Sequence, residues 1–233
     1  MRTILITLTL ALGITTAQAA PIVFTSADYT TFALASVGAV DDGPYAGTAP
    51  PSSLPLFSSA SLATPDDSAT ATGIADNQLL SATTEAVSSV AGSSARAVST
   101  FLGGFTTSGE KLSLSVIFDD VIDLLGDGSA GSELFVTLIV DGLTLFDASY
   151  TADQIINADF LTQVGLFGSL DLTLVSVADA QNGFGFNLAS ADFSLNSVPE
   201  PASLALLLGG LGLLGMARGH GGRGGVHSGF LAQ

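Results

Sequence analysis

From Lys111 onward, apolar and polar residues alternate along the chain. Successive side chains of an extended strand point to opposite faces, so a period of two marks a strand with one face buried. Leu112, Leu114, Val116 and Phe118 fall on one face of the first such run. Leu134–Val140 and Leu143–Ser149 flank Asp141-Gly142, whose chemistry tolerates the positive φ angles of a two-residue hairpin turn. Leu170, Leu172 and Leu174 alternate with Asp171, Thr173 and Val175. Phe184, Phe186 and Leu188, then Ala191, Phe193 and Leu195, carry the habit to the end of the domain.

Nearer the start the pattern is weaker. Phe24 and Phe32 border two further strand candidates, and Ala95 to Phe105 is a third. The segment from Asp76 to Ala91 is consistent with either helix or strand. Residues 43–75 are mostly Pro, Ala, Ser and Thr, with five of the eight prolines between Pro44 and Pro65, and predict a long loop whose Ser/Thr content also permits O-glycosylation. About eight strands with turn-rich spacing predict an all-β fold, an antiparallel β-sandwich or jelly-roll-like domain over residues 20–197.

Both ends depart from this pattern. Met1-Arg2-Thr3 precedes an apolar run from Ile4 to Ile14, and Ala17-Gln18-Ala19 then places small residues where a signal peptidase inspects them. This order predicts a cleavable secretory signal peptide over residues 1–19, with signal peptidase as a partner. At the other end, Val198-Pro199-Glu200-Pro201 leads into Ala202 to Ala217, an uncharged stretch of 16 residues, then Arg218 and a Gly-rich tail over 219–233. A spanning helix needs about 20 apolar residues, and each of Gly209, Gly210, Gly212 and Gly215 weakens a helix by roughly 1 kcal/mol relative to Ala. A transmembrane helix inserted transiently fits this segment better than a permanent anchor. Arg218 and Arg223 mark its far side as cytoplasmic.

Val198-Pro199-Glu200-Pro201, the Leu/Gly-rich run and the basic Arg218 together resemble the PEP-CTERM sorting signal of exosortase substrates, over residues 198–218. In place of a terminal arginine cluster this chain has Arg218, Arg223 and the glycine-rich extension. The resemblance implies processing at the Pro-Glu-Pro triplet by a membrane-embedded, cysteine-type transpeptidase. It also implies a cell-surface, biofilm-matrix or extracellular destination in a Gram-negative, exopolysaccharide-making bacterium.

Charge narrows the functions left open. Between Pro21 and Val198 stand 20 acids against two cations, Arg96 and Lys111, a formal charge of −18. Such a field repels phosphate backbones and anionic lipid, so nucleic acid is excluded as a partner. The chain has no cysteine, and both histidines, His220 and His227, follow the hydrophobic run. Residues 20–197 therefore hold no thiolate, no Ser-His-Asp triad and no histidine-ligated zinc.

Two kinds of chemistry stay open. Asp119, Asp120, Asp123, Asp127 and Glu133 lie in a stretch with Gly126, Gly128 and Gly131, and oxygen-rich loops of this kind suit calcium. The spacing does not fit the EF-hand, and a solvated connection between strands explains the same residues. Twenty acids also leave room for a glycosidase pair, but there is no tryptophan and only Tyr29, Tyr45 and Tyr150 among tyrosines. A sugar-stacking platform is poorly supplied, and the phenylalanines read as core. The expectation is an exported, non-enzymatic surface or matrix protein with no cofactor, associated with exopolysaccharide. A secreted carbohydrate-binding or carbohydrate-active module is the alternative.

Overall fold

The computed structural model describes residues 19–198. Its strands are β1 (Ala20–Pro21), β2 (Phe24–Val37), β3 (Val40–Ala49), β4 (Leu56–Ala63), β5 (Ser68–Asp76), β6 (Leu79–Ser88), β7 (Ser93–Thr106), β8 (Lys111–Val140), β9 (Leu143–Tyr150), β10 (Gln154–Leu161) and β11 (Phe167–Val198). One turn of 3₁₀-helix, Pro51–Ser53, is the single helical element among the described residues. The fold is all-β and antiparallel, as the alternation predicts.

Two very long strands organise it. β8 and β11 pair antiparallel from Lys111↔Val198 to Val140↔Gly168. On its other edge, β11 pairs with β7 along its first half and with β6 along its second. β8 likewise takes β10 on its first half and β9 on its second. The ribbon thus runs through two halves, ordered β3-β2-β7-β11-β8-β9 and β4-β5-β6-β11-β8-β10. β2 packs against β4 and β5, and β7 against β5 and β6, so the halves face each other like a sandwich made from one folded sheet.

The corner explains a misread segment. Asp119 to Glu133, expected as an acidic loop or connection, lies within the continuous strand β8. The pairing shifts register between Ala180 and Gly183, opposite Gly126 and Gly128. Any side chain at Gly128 would collide with the carbonyl of Phe184, and one at Gly183 with that of Leu125. Glycine is needed there because two backbones nearly touch where the ribbon bends, not because a loop wraps an ion.

A second correction concerns residues 43–75, which form most of β3, all of β4 and nearly all of β5. Ala60, Ala69, Ala71 and Ala75 are buried and alternate with exposed or half-buried Ser and Thr. The period of two is present, but written in residues of little hydrophobic contrast. Pro50, Pro51, Pro55 and Pro65 fall between strands, and Pro44 lies in β3, at the end of the sheet order, where a missing N–H is tolerated. The ambiguous segment from Asp76 resolves as strand β6.

Leucines of β8 and β11, including Leu112, Leu134, Leu170 and Leu172, fill one side of the core. Small side chains line the β2–β5 side, among them Ala33, Ala35 and Ala71. Phe101 anchors an aromatic cluster, with ring centroids 5.0 Å from Phe24, 5.0 Å from Tyr29 and 4.6 Å from Phe193. The Asp141-Gly142 turn has φ of 51° and 74°, the positive pair expected of a two-residue hairpin. β1 pairs with the end of β11, Ala20 opposite Ser197 and Pro21 opposite Asn196, so the two ends of this unit lie side by side.

Candidate functional site

On strand β8 the five acidic residues do not converge. Asp119, Asp123 and Asp127 fall at intervals of four, roughly 13 Å along an extended strand, too far to share one ion, and Glu133 lies beyond the corner at Gly128. Asp120 points to the opposite face, where its Oδ1 accepts from Asn187 Nδ2 at 2.6 Å. Among the described residues no group of three or more acids or histidines is placed to hold a metal. Of the sorting residues, Val198 ends β11, while Pro199, Glu200, Pro201 and Arg218 lie outside the described residues, as do the signal segment and Ala202–Ala217. No helix of the described residues is long and apolar enough to cross a membrane.

Asp120 terminates a buried polar chain absent from the sequence reading. Thr84 Oγ1 lies 2.8 Å from Ser176 Oγ, which donates to Asn187 Oδ1 at 2.7 Å. Thr84, Ser176 and Asn187 are fully buried, and the chain ties the β7-side half, through Ser176, to the β6-side half. The signal was parity: each sits at a core-facing position among Leu and Ala.

The outer face of the β6-side half carries the most distinctive surface. The extra β11 residue at the corner exchanges the faces of the strand. Before it, even positions such as Leu170 and Leu174 are buried; after it, odd positions such as Ala189 and Leu195 are. Phe184 and Phe186 consequently turn outward and are half-buried, with ring planes 4° apart and centroids separated by 6.4 Å. Across the sheet Phe184 stands opposite Val87 and Leu125, and Phe186 opposite Glu85 and Asp123. This corrects the reading of the phenylalanines as core residues, true of Phe101, Phe105, Phe118 and Phe193 but not of this pair, nor of the exposed Phe57, Phe135 and Phe167. The change from even (184, 186, 188) to odd (191, 193, 195) is visible in the sequence.

On the opposite half, Asp171 and Asp179 are solvent-exposed on the outer face, and partial desolvation by the surrounding sheet moves their carboxyls above the ordinary range. Asp159, by contrast, is held low by Lys111, whose Nζ lies 2.7 Å from its Oδ2. The cross-strand row of Asp171 runs Asp28, Leu102, Asp171, Thr137 and Asp147, with Thr137 Oγ1 donating to Asp147 Oδ1 at 3.1 Å.

Fold and surface thus define an acidic, all-β domain with one outward aromatic strip. The particular signal comes from the chain's end: residues 197–220 match the PEP-CTERM protein-sorting motif, so this is an exported protein of the kind exosortase processes. No curated protein matches the chain as a whole. Among solved structures it is similar to TmCBM61 in complex with β-1,4-galactotriose, at 8% identity over 60% of this chain and 86% of that one, TM-score 0.19. It is also similar to a GH31 α-xylosidase from Xanthomonas citri, at 8% identity over 75% of this chain and 27% of that one, TM-score 0.23. Likeness at that level carries no functional argument.

Proposed function

We propose that the chain is a non-enzymatic surface or extracellular-matrix protein associated with exopolysaccharide. Signal peptidase removes residues 1–19. Ala202–Ala217 inserts transiently with Arg218 on the cytoplasmic side, and cutting near Pro199-Glu200-Pro201 releases the acidic domain. The observation that carries this reading is the junction: the sorting motif begins at residue 197, and β11 runs to Val198. The folded domain therefore abuts the triplet in sequence, and Val198, the residue before Pro199, ends β11 in the extended backbone that a following proline favours. Mass spectrometry of extracellular protein is expected to find a mature C-terminus near Pro199. An intact tail found solely in the inner membrane overturns release in favour of a plain anchor.

A second reading, a carbohydrate-binding module, is favoured by Phe184 and Phe186. Two parallel rings one strand-repeat apart offer apolar faces to successive sugar rings, and Glu85 and Asp123 stand beside them as hydroxyl acceptors. A glycan array probed with the full chain and with a Phe184→Ala/Phe186→Ala variant tests it. Binding lost in the variant supports the module; equal binding removes it. Turnover of any polysaccharide would sink the non-enzymatic reading.

A further inference from the structure

β8 is paired on both sides only at its ends. β10 covers it as far as Phe118 and β9 from Leu134 onward, so residues 119–133 have β11 on one side and no strand of the described residues on the other. The backbone N–H of Asp120 shows which way this edge faces, since it donates to Asp153 Oδ1, just before β10, at 2.6 Å. In an antiparallel strand the N–H and C=O of one residue point to the same side and those of the next to the other. The β8–β11 register runs unshifted from Phe118 to Gly126, so Ile122 and Leu124 also turn donor and acceptor to the open edge.

Natural sheets protect such edges with prolines, inward charges or covering loops. Here the edge bears apolar side chains on both faces: Val121 is 55% exposed, Ile122 44%, Leu124 48% and Leu125 72%. The charges are spaced rather than random, with Asp119, Asp123 and Asp127 on one face at intervals of four. We infer that the edge of β8 from Asp119 to Asp127 is a docking site for an extended cationic peptide strand, with apolar residues at alternate positions and Lys or Arg every fourth. Backbone pairing at Ile122 and Leu124 supplies affinity, and the three aspartates supply the choice of partner.

Charge decides between this occupant and a second copy. Antiparallel pairing of the edge with itself about Asp123 sets Asp123 against Asp123 and Asp119 against Asp127, and like charges directly opposite are destabilising. Two domains of formal charge −18 also repel at longer range. A lysine every fourth residue converts each of those repulsions into an attraction in the same register.

The test uses the full chain in detergent and three acetylated, amidated peptides, KVTVKVTVK, EVTVEVTVE and KVTVPVTVK, with calorimetry and amide hydrogen exchange. The first peptide is expected to bind at least about tenfold more tightly than the other two, and to slow exchange at Ile122 and Leu124. Ile122→Pro removes an outward N–H, and Leu125→Lys adds a cation between Asp123 and Asp127 on the face the peptide's lysines occupy; each is expected to weaken binding about tenfold or more with little change in melting. Should Ile122→Pro not fold, Leu125→Lys and the exchange data carry the test. Equal affinity for all three peptides, undiminished binding by Leu125→Lys, or protection of the same amides by self-association overturns the proposal.

Discussion

Asp67 is buried, and its carboxylate accepts the backbone N–H groups of Ser89 at 2.7 Å, Val90 at 3.1 Å and Ala91 at 3.2 Å, holding the turn between β6 and β7. These donors, that of Ser89 foremost, keep the carboxyl below the usual carboxylate range. A folded pKa below the unfolded value of about 3.9 means stability that is fully present above pH 4 and is lost as pH falls through the folded value. Asp67→Asn is therefore expected to lower the melting temperature at pH 7, and the gap to the natural protein should narrow below pH 4 in a calorimetric pH series. Asn187 tests the buried chain. Asn187→Ala leaves the Ser176 hydroxyl without its acceptor and Asp120 without its donor, and should cost about 2 kcal/mol in urea denaturation. A cost near zero would mean that water replaces the amide.

At the scale of elements, the two halves come close together at Gly73 of β5. A Cβ there would stand 2.8 Å from the carbonyl oxygen of Val98 and 3.1 Å from that of Phe32, backbone atoms of β7 and β2. Gly73→Ala should cost about 1–3 kcal/mol by overpacking, read as a lower urea midpoint at unchanged slope. The same closeness shows why this region was hard to read. Ala69, Ala71 and Ala75 are as buried as Leu170 or Leu172, but opposite Ser and Thr they differ too little in hydrophobicity to announce a strand. Where Leu and Val alternate with Ser, from Leu112 to Val116, and Leu with Asp and Thr, from Leu170 to Leu174, alternation and structure agree. The acidic run was ambiguous for another reason. Asp and Gly mark metal loops and strand corners alike, and only the register between Ala180 and Gly183 separates them. The aromatic strip was legible as a parity change, whereas the polar chain depended on which strands the fold brings opposite one another.

For the whole molecule, net charge and end geometry matter most. Between Pro21 and Val198, twenty acids against two cations repel one another in the compact state, so monovalent salt should raise the melting temperature of the domain as it screens them. A melting temperature that falls or stays flat between 20 and 500 mM salt, roughly the range over which the Debye length shrinks from ~20 to ~4 Å, would contradict this. The pairing of β1 with the end of β11 has a mechanical consequence. Ala20 pairs with Ser197 and Pro21 with Asn196, and the Ile22 N–H donates to the Leu195 carbonyl at 2.9 Å. Tension applied between the two ends therefore loads this short ladder in the unzipping direction, one bond after another, instead of shearing all its bonds together. The first extension under load should be the peeling of β1 and the withdrawal of buried Ile22, with the β8–β11 ribbon still intact. In a pulling experiment it should register as a low-force step of a few residues ahead of the main rupture, giving the tether a built-in slack before the domain itself yields.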